Sequence, residues 1–406
     1  MWQQDLTRTL RDLGFKTVPD EPCVMLKDGV IVFFFVDDLV WAYRKEKADR
    51  AKKAMEGLQQ TYNMAVLGEL KWFLGIHIIR NRAKRSIWLT QDAYIDKIAY
   101  QYDVDLETKA PETPMTGEEL LPATCQADRR SIEKYLKKVG SILFTAISTR
   151  PDVAFAAARL ARFNQNPDQT HHKAADRVLQ YLYGTRSLGI RLGGTRFLKS
   201  FLCASDASYA DNTIDRKSSQ GYVMMLFGGP IAWKATKQST VTTSSTEAEL
   251  LALSQTAKEA IFASRILGEL DIKIDGPLHI ECDNTQTIRL LTEESAKLST
   301  RLRHVDIHRH WLRQEYREKR VEFGWVPTSK MIADGMTKAL PKQRHAIFIK
   351  MLQMEDVSDQ IGMEQRMEAI RDQIVKARSQ TESNGPDKEA RLGYRGGQRR
   401  DPKDKL

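Results

Sequence analysis

The run "FFFVDDLVWA", residues 33–42, places two aspartates side by side inside an apolar stretch. Phe33, Phe34, Phe35 and Val36 precede Asp37 and Asp38, and Leu39, Val40 and Trp41 follow them. A buried, unpaired carboxylate costs several kcal/mol and would sooner protonate. A strand core cannot absorb the pair, so either a turn divides two strands here or something binds the charge.

The surrounding chain supports a layered architecture. Residues 5–14 read as a short amphipathic helix ending at Gly14. Two strands flank Lys27-Asp28-Gly29, a hairpin signal. Residues 45–62 are helical by pattern, and "LGELKWFLGIHIIRN" with "SIWLTQ" reads as a second hairpin, followed by a helix from Asp92 to about Tyr102. A loop rich in Pro and Thr, "KAPETPMTGEELLPAT", opens a helical stretch over 131–183. That stretch should break at "STRPD", because Pro151 disfavours helical backbone at Arg150. From residue 199 strands and helices alternate, which predicts an α/β domain ending near 345. The segment "NGPDKEARLGYRGGQRRDPKDKL" has almost no apolar residues and is expected to be disordered. No internal repeat is visible.

Composition narrows the class. The 406 residues are 41% hydrophobic, enough for more than one core. No apolar run reaches the roughly 18 residues a spanning helix needs, and the N-terminus lacks the apolar core of a secretory signal. Cys23, Cys125, Cys203 and Cys282 are widely spaced without C-x-x-C, which fits a reducing compartment and neither a zinc knuckle nor a disulfide framework. The net charge of +10 is compatible with a polyanionic partner.

Four acids in the second half stand beside four different elements. Asp206 ends an apolar strand in "FLCASDASYA", and Glu249 lies on a helix in "SSTEAELLALSQTAKEA". Asp283 ends another strand in "HIECDNTQ", and Asp334 lies early in the last helix in "SKMIADGMTKAL". Brought together, they would repel one another unless divalent cations neutralise them, the arrangement that two-metal phosphoryl chemistry needs. Taken singly, each also reads as a solvated surface carboxylate. Ser244 and Glu247 fit a capping box, which gives Glu247 a structural task and leaves Glu249 as the ligand candidate. Leu250, Leu253, Ala257, Ala260 and Ile261 form a core stripe on the same helix. His304 and His308 share a helical face, with His310 nearby, but no third ligand stands out and a structural role fits them better.

These segments resemble the ribonuclease H domain of copia-type LTR retrotransposon Pol polyproteins. The resemblance rests on "SDASYADNTIDRKSSQGY", "GGPIAWKATKQSTVTTSSTEAELLAL", "ECDN", "RHVDIHRHWLR" and "IADGMTKALP", in the family's order and spacing. Upstream, "DLTRTLRDLGFKTVPDEPCVMLKDGVIVFFFVDDLVWA" is similar to the end of the family's reverse transcriptase palm. "STRPDVAFAAARLARFNQNP" and "HHKAADRVLQYLYGTRSLGIRL" are similar to its thumb and connecting region. Ser208 stands where the family often has Asp, Leu250 where it often has Tyr, and Phe35 where the Y-x-D-D hairpin has Tyr.

The resemblance implies an α/β and α+β chain in four segments: a truncated palm (1–110), a thumb and connection-like helical region (111–198), a ribonuclease H-like mixed five-stranded sheet with flanking helices (199–345), and a charged, partly helical to disordered tail (346–406). It implies that Asp206, Glu249, Asp283 and Asp334 hold two Mg²⁺ or Mn²⁺ ions and hydrolyse the RNA strand of RNA/DNA hybrids. Asp37 and Asp38 would be the metal-binding pair of the palm. Arg216, Lys217, Lys234 and Lys237 are candidates for phosphate contact, with a solvated basic face as the equal alternative. The loop "VPTSKMIAD" lacks the histidine of cellular ribonucleases H and offers Thr328, Ser329 and Lys330. Met1 lies too close to Asp37 for the first palm aspartate and the fingers to precede it, so no autonomous polymerase activity is expected. The implied partners are an RNA/DNA hybrid and a full-length retrotransposon polymerase, with no membrane. The implied location is the cytoplasm, in virus-like particles, or the nucleus. A non-catalytic relic that only binds nucleic acid is the competing reading.

Overall fold

The aspartate pair spans the end of a two-residue hairpin turn, Val36-Asp37, and the start of the next strand at Asp38, in this computed structural model, which describes residues 2–105, 107–193, 199–294 and 303–362. Helix α1 (Trp2–Asp12) leads into β1 (Lys16–Val18), β2 (Glu21–Lys27), β3 (Val30–Phe35) and β4 (Asp38–Tyr43), an antiparallel sheet in that order. Asp28 and Gly29, at φ 50° and 81°, join β2 to β3 with the positive φ angles that twisted two-residue hairpins favour. Alternate β3 residues Val30, Val32 and Phe34 pack on Leu6 and Leu10 of α1 and on Ala51, Ala54 and Leu58 of α2 (Ala48–Thr61).

After α2 come β5 (Trp72–Phe73), β6 (Ile76–Asn81), β7 (Ser86–Thr90) and α3 (Asp92–Gln101). The helical stretch divides into α4 (Arg129–Ser148), α5 (Ala154–Ala161) and α6 (Gln169–Gly184), broken at "STRPD" as the proline requires. The fully buried Arg150 guanidinium meets Asp152 through two bonds of 2.9 and 2.7 Å, and it donates to the Thr185 carbonyl at 3.1 Å. The Tyr181 hydroxyl adds a 2.7 Å bond to Asp152. This paired and satisfied charge fixes the break against α6.

Strand β8 (Leu188–Gly193) precedes the alternating region: β9 (Phe201–Ser208), β10 (Ser219–Leu226), β11 (Gly229–Lys237), α7 (Ser245–Glu269), β12 (Leu278–Cys282), α8 (Thr285–Thr292), α9 (Arg303–Arg317) and β13 (Val321–Trp325). Helices α10 (Asp334–Thr337) and α11 (Lys342–Met351) and strand β14 (Met354–Asp356) follow. The five-stranded sheet runs β11-β10-β9-β12-β13. Its first three strands are antiparallel, and β9, β12 and β13 are parallel. It is the mixed sheet with flanking helices that the resemblance implies. Leu250, Leu253, Ala257 and Ala260 of α7 pack on Cys203, Tyr222, Ile280 and Phe323.

A third sheet, β14-β8-β7-β6-β5, draws strands from three of the four segments read from the sequence. Glu355 of β14 accepts from Trp88 Nε1 at 2.9 Å and pairs with Arg191 at 2.6 Å. All these elements lie in the unit Met1–Gln360, which is separate from Ile361–Leu406. The expectation of disorder for residues 384–406 falls outside the described residues. Among the described residues, no helix is long and apolar enough to cross a membrane. The four cysteines are free.

Candidate active site

Parallel pairing puts two of the four acids side by side. Ala204 of β9 is in register with Glu281 of β12. Asp206 and Asp283 each lie two residues further on, at the carboxyl ends of adjacent parallel strands, where open α/β sheets place their ligands. Glu249 comes from the first turns of α7, which packs across β9 and β12. Ser244 caps that helix, accepting from Glu247 N at 3.2 Å. The sequence pattern predicted a reciprocal bond from Glu247 to the cap. Its carboxylate instead accepts from Thr243 N and Oγ1, both at 2.7 Å. Glu247 is thereby held at the helix start, and Glu249 points into the site.

Asp206, Glu249 and Asp283 each offer a carboxylate oxygen, all within 4.8 Å of one another. Asp206 and Glu249 are buried, at 2% and 5% exposure. At 4.8 Å and an effective dielectric of about 20, each like-charged pair repels by roughly 3 kcal/mol. Burial, reinforced by Asp334 and Asp283, pushes the Asp206 carboxyl up to about 6 against the opposing Lys338 and Thr337. Burial and the charges of Asp206 and Asp283 hold Glu249 well above the usual carboxylate range. Carboxylates this costly to ionise gain from a cation, and a set of hard oxygen donors suits Mg²⁺ or Mn²⁺. The buried Cys282 thiol lies 3.9 Å from Glu249 Oε2.

Asp334 stands next to this group as the first residue of α10. Gly221 of β10, paired with Asp206, makes that approach possible: a Cβ there would fall 2.3 Å from Met336 Cβ. Four further groups touch the acids; of these the sequence singled out only Thr328, in the loop that lacks the histidine of cellular ribonucleases H. Thr337 Oγ1 donates to Asp206 Oδ2. Lys338 Nζ lies 2.8 Å from Asp334 Oδ1 and 3.8 Å from Asp206 Oδ2. Arg344 Nη2 donates to Asp334 Oδ2 at 3.1 Å, and Thr328 Oγ1 donates to Asp283 Oδ2 at 2.7 Å. Thr337 and Lys338 follow Asp334 at the spacing that puts side chains on one helix face, the one signal in the sequence that could have found them.

The other candidates lie elsewhere. Asp37 and Asp38 are exposed at the β3–β4 turn, and among the described residues they join no group of three potential metal-binding side chains. Val36 before them is at φ 53°, and its carbonyl accepts from Trp2 Nε1 at 2.7 Å. Arg216 is exposed and Lys217 half-buried on the loop after β9. Lys237 is held by Asp215 at 2.7 Å, and Lys234 lies 4.0 Å from Glu259. His308 Nδ1 bonds to Ser254 Oγ at 2.7 Å and His310 pairs with Asp306 at 3.4 Å, while the side chain of His304 lies outside the described residues.

Known proteins resemble this chain over much of its length. A family described as reverse transcriptase (RNA-dependent DNA polymerase) matches residues 1–116. The Pol polyprotein from transposon TNT 1-94 of Nicotiana tabacum is 30% identical over 84% of this chain, which spans 26% of that relative. The transposon Ty5-1 protein of Saccharomyces cerevisiae is 32% identical over 64% of this chain and 84% of its own length. Among solved structures, the foamy viral protease-reverse transcriptase in complex with an RNA/DNA hybrid aligns over 80% of this chain and 37% of its own, at 14% identity and a TM-score of 0.44. The chain thus spans about a quarter of the tobacco Pol polyprotein, and nearly all of the shorter yeast relative falls within it. Together with the order of its motifs, this makes the chain a member of the Pol polyprotein family of copia-type retrotransposons.

Proposed function

We propose that this chain is a divalent-cation-dependent ribonuclease H-type endonuclease acting on the RNA strand of RNA/DNA hybrids. The observation that carries the proposal is the meeting of Asp206, Glu249 and Asp283 from two strand ends and a helix, with Asp334 beside them. Asp206, Glu249 and Asp283 would hold one Mg²⁺ or Mn²⁺, and Asp206 with Asp334 the other. When bound, such ions activate a water and stabilise the departing 3′ oxygen. The protein's own contribution is orientation. Thr328 fixes one Asp283 oxygen, Thr337 fixes one of Asp206, and Arg344 fixes one of Asp334. The exposed Arg216 and Lys234 and the partly exposed Lys217 and Lys237 would meet phosphates of the hybrid, which is recognised by backbone and 2′-hydroxyls rather than by sequence.

The test is a labelled RNA/DNA hybrid incubated with Mg²⁺ and the full chain, wild type or Asp283→Asn. Asp283 is partly exposed, so its substitution spares the core. Cleavage by wild type that the variant loses supports the enzyme. Hybrid binding without cleavage by either protein supports the non-catalytic relic.

A further inference from the structure

The two cations on Asp334 are held differently. Arg344 is anchored: besides Asp334 it donates to the Ser329 carbonyl at 2.7 Å and the Thr328 carbonyl at 2.8 Å. Lys338 has no such tether. Its Nζ touches the carboxylates of Asp334 and Asp206, and its side chain is 42% exposed. Asp334 Oδ1 is buried, and Lys338 meets it as an ion pair at 2.8 Å, with no second group among the described residues holding the ammonium in place beyond Asp206 at 3.8 Å. An ammonium on a flexible four-carbon stem can swing into solvent, whereas a forked guanidinium with three partners cannot leave without breaking them.

The acids divide accordingly. Asp206, Glu249 and Asp283 form one mutually close group, and Asp334 is outside it. The side of the cluster between Asp206 and Asp334 already carries a positive charge from the chain itself. Resting on the metal-site reading above, we infer that Lys338 is a displaceable internal cation that competes with the second divalent ion at Asp206 and Asp334, while Arg344 is a positioning residue that keeps Asp334 aimed at that place. One divalent ion then binds tightly at the three-acid group. The second binds weakly because Lys338 must move aside.

A Mn²⁺ titration of the full chain, read from the loss of the free-ion paramagnetic resonance signal, separates the two roles without reference to activity. The second ion should bind about tenfold more tightly in Lys338→Gln, one unit charge being removed within a few ångströms of the site. Lys338→Arg, which keeps the charge, should leave the second ion weak. Arg344→Gln also removes a positive charge, yet it should weaken the second ion by freeing Asp334. Should Lys338→Gln leave the second ion unchanged, or Arg344→Gln tighten it as much as Lys338→Gln does, the inference is overturned and the three-acid site stands. Absence of Mn²⁺ uptake by the wild type and every variant overturns the proposed function itself.

Discussion

Two sets of carboxylates lie at strand ends in this molecule, and they meet opposite fates. Asp37 and Asp38 sit on one hairpin, exposed, where water solvates the charge. Asp206, Glu249 and Asp283 come from three elements and converge in a largely buried place. Adjacency in sequence made the first pair conspicuous, yet both residues are exposed and, among the described residues, join no group of three potential ligands. Scattered residues meet because β9 and β12 run parallel and in register and because α7 crosses both. The proposed cation site rests on that convergence.

The largest effect should come from Glu249→Gln set against Asp37→Asn. Removing a ligand from the buried group should lower hybrid cleavage by about a hundredfold or more, since metal-assisted charge stabilisation is worth several kcal/mol. Asp37→Asn should leave hybrid cleavage within about twofold, because an exposed surface substitution changes little. Initial rates on a labelled hybrid measure both. Comparable losses from the two variants would break the contrast between the regions.

A second difference concerns pH. Asp206 is raised from 3.8 to about 6 by burial first, then by its acidic neighbours. A carboxyl raised in the folded state binds its proton more tightly there than in the unfolded chain. Its stabilising contribution is therefore complete below about pH 4 and is lost as pH rises to about 6, for a total of roughly 3 kcal/mol before coupling to its neighbours. Divalent ions compete with protons for the same oxygens. Mg²⁺ should thus raise the denaturation midpoint above pH 6 and have little effect near pH 4. Asp206→Asn should flatten the pH dependence measured in a chelator.

The approach of α10 offers a third comparison. Gly221→Ala would drive a methyl into Met336, at a cost of about 1–3 kcal/mol in stability if the helix holds its place. Should the helix yield instead, Asp334 retreats and Mn²⁺ affinity falls with little loss of stability. Denaturant midpoint and Mn²⁺ titration on one sample tell the two outcomes apart.

Much of the fold was legible because its signals are local. Asp28-Gly29 marked a hairpin, Pro151 marked a break, and "SSTE" marked the start of α7. The four candidate acids were legible as strand-end and helix-start residues in a resembling order. Lys338 and Arg344 were not, and Thr328 was named only as part of a loop, because their contacts exist only where α10, α11 and the loop before them fold back onto β9 and β12. Strand β14 was hidden for another reason. Three residues, Met354–Asp356, are too few to show alternation, and their place beside β8 is secured by Glu355 reaching Arg191 and Trp88. The Glu247 bond to Thr243 lies one residue from the predicted partner, a shift that spacing rules cannot resolve.

The smallest effect expected lies at the turn itself. Val36 is a β-branched residue at φ 53°, in the left-handed region that costs such side chains about 1–3 kcal/mol. Its side chain is 63% exposed and contributes little packing, while its carbonyl is the group that holds Trp2. Val36→Gly keeps the carbonyl and removes the conflict, although the freer unfolded chain takes back about 0.5–1 kcal/mol. A net gain of about 1 kcal/mol in unfolding free energy, read from the denaturant unfolding of the full chain, is expected. The two regions thus hold their unfavourable energy in different forms: repulsion at the cluster, which a bound cation relieves, and backbone strain at the hairpin, which only a change of residue relieves. If Mg²⁺ stabilised the wild-type hairpin and Val36→Gly did not, the aspartate pair would be a cation site after all, and the difference between the regions would be one of affinity rather than of kind.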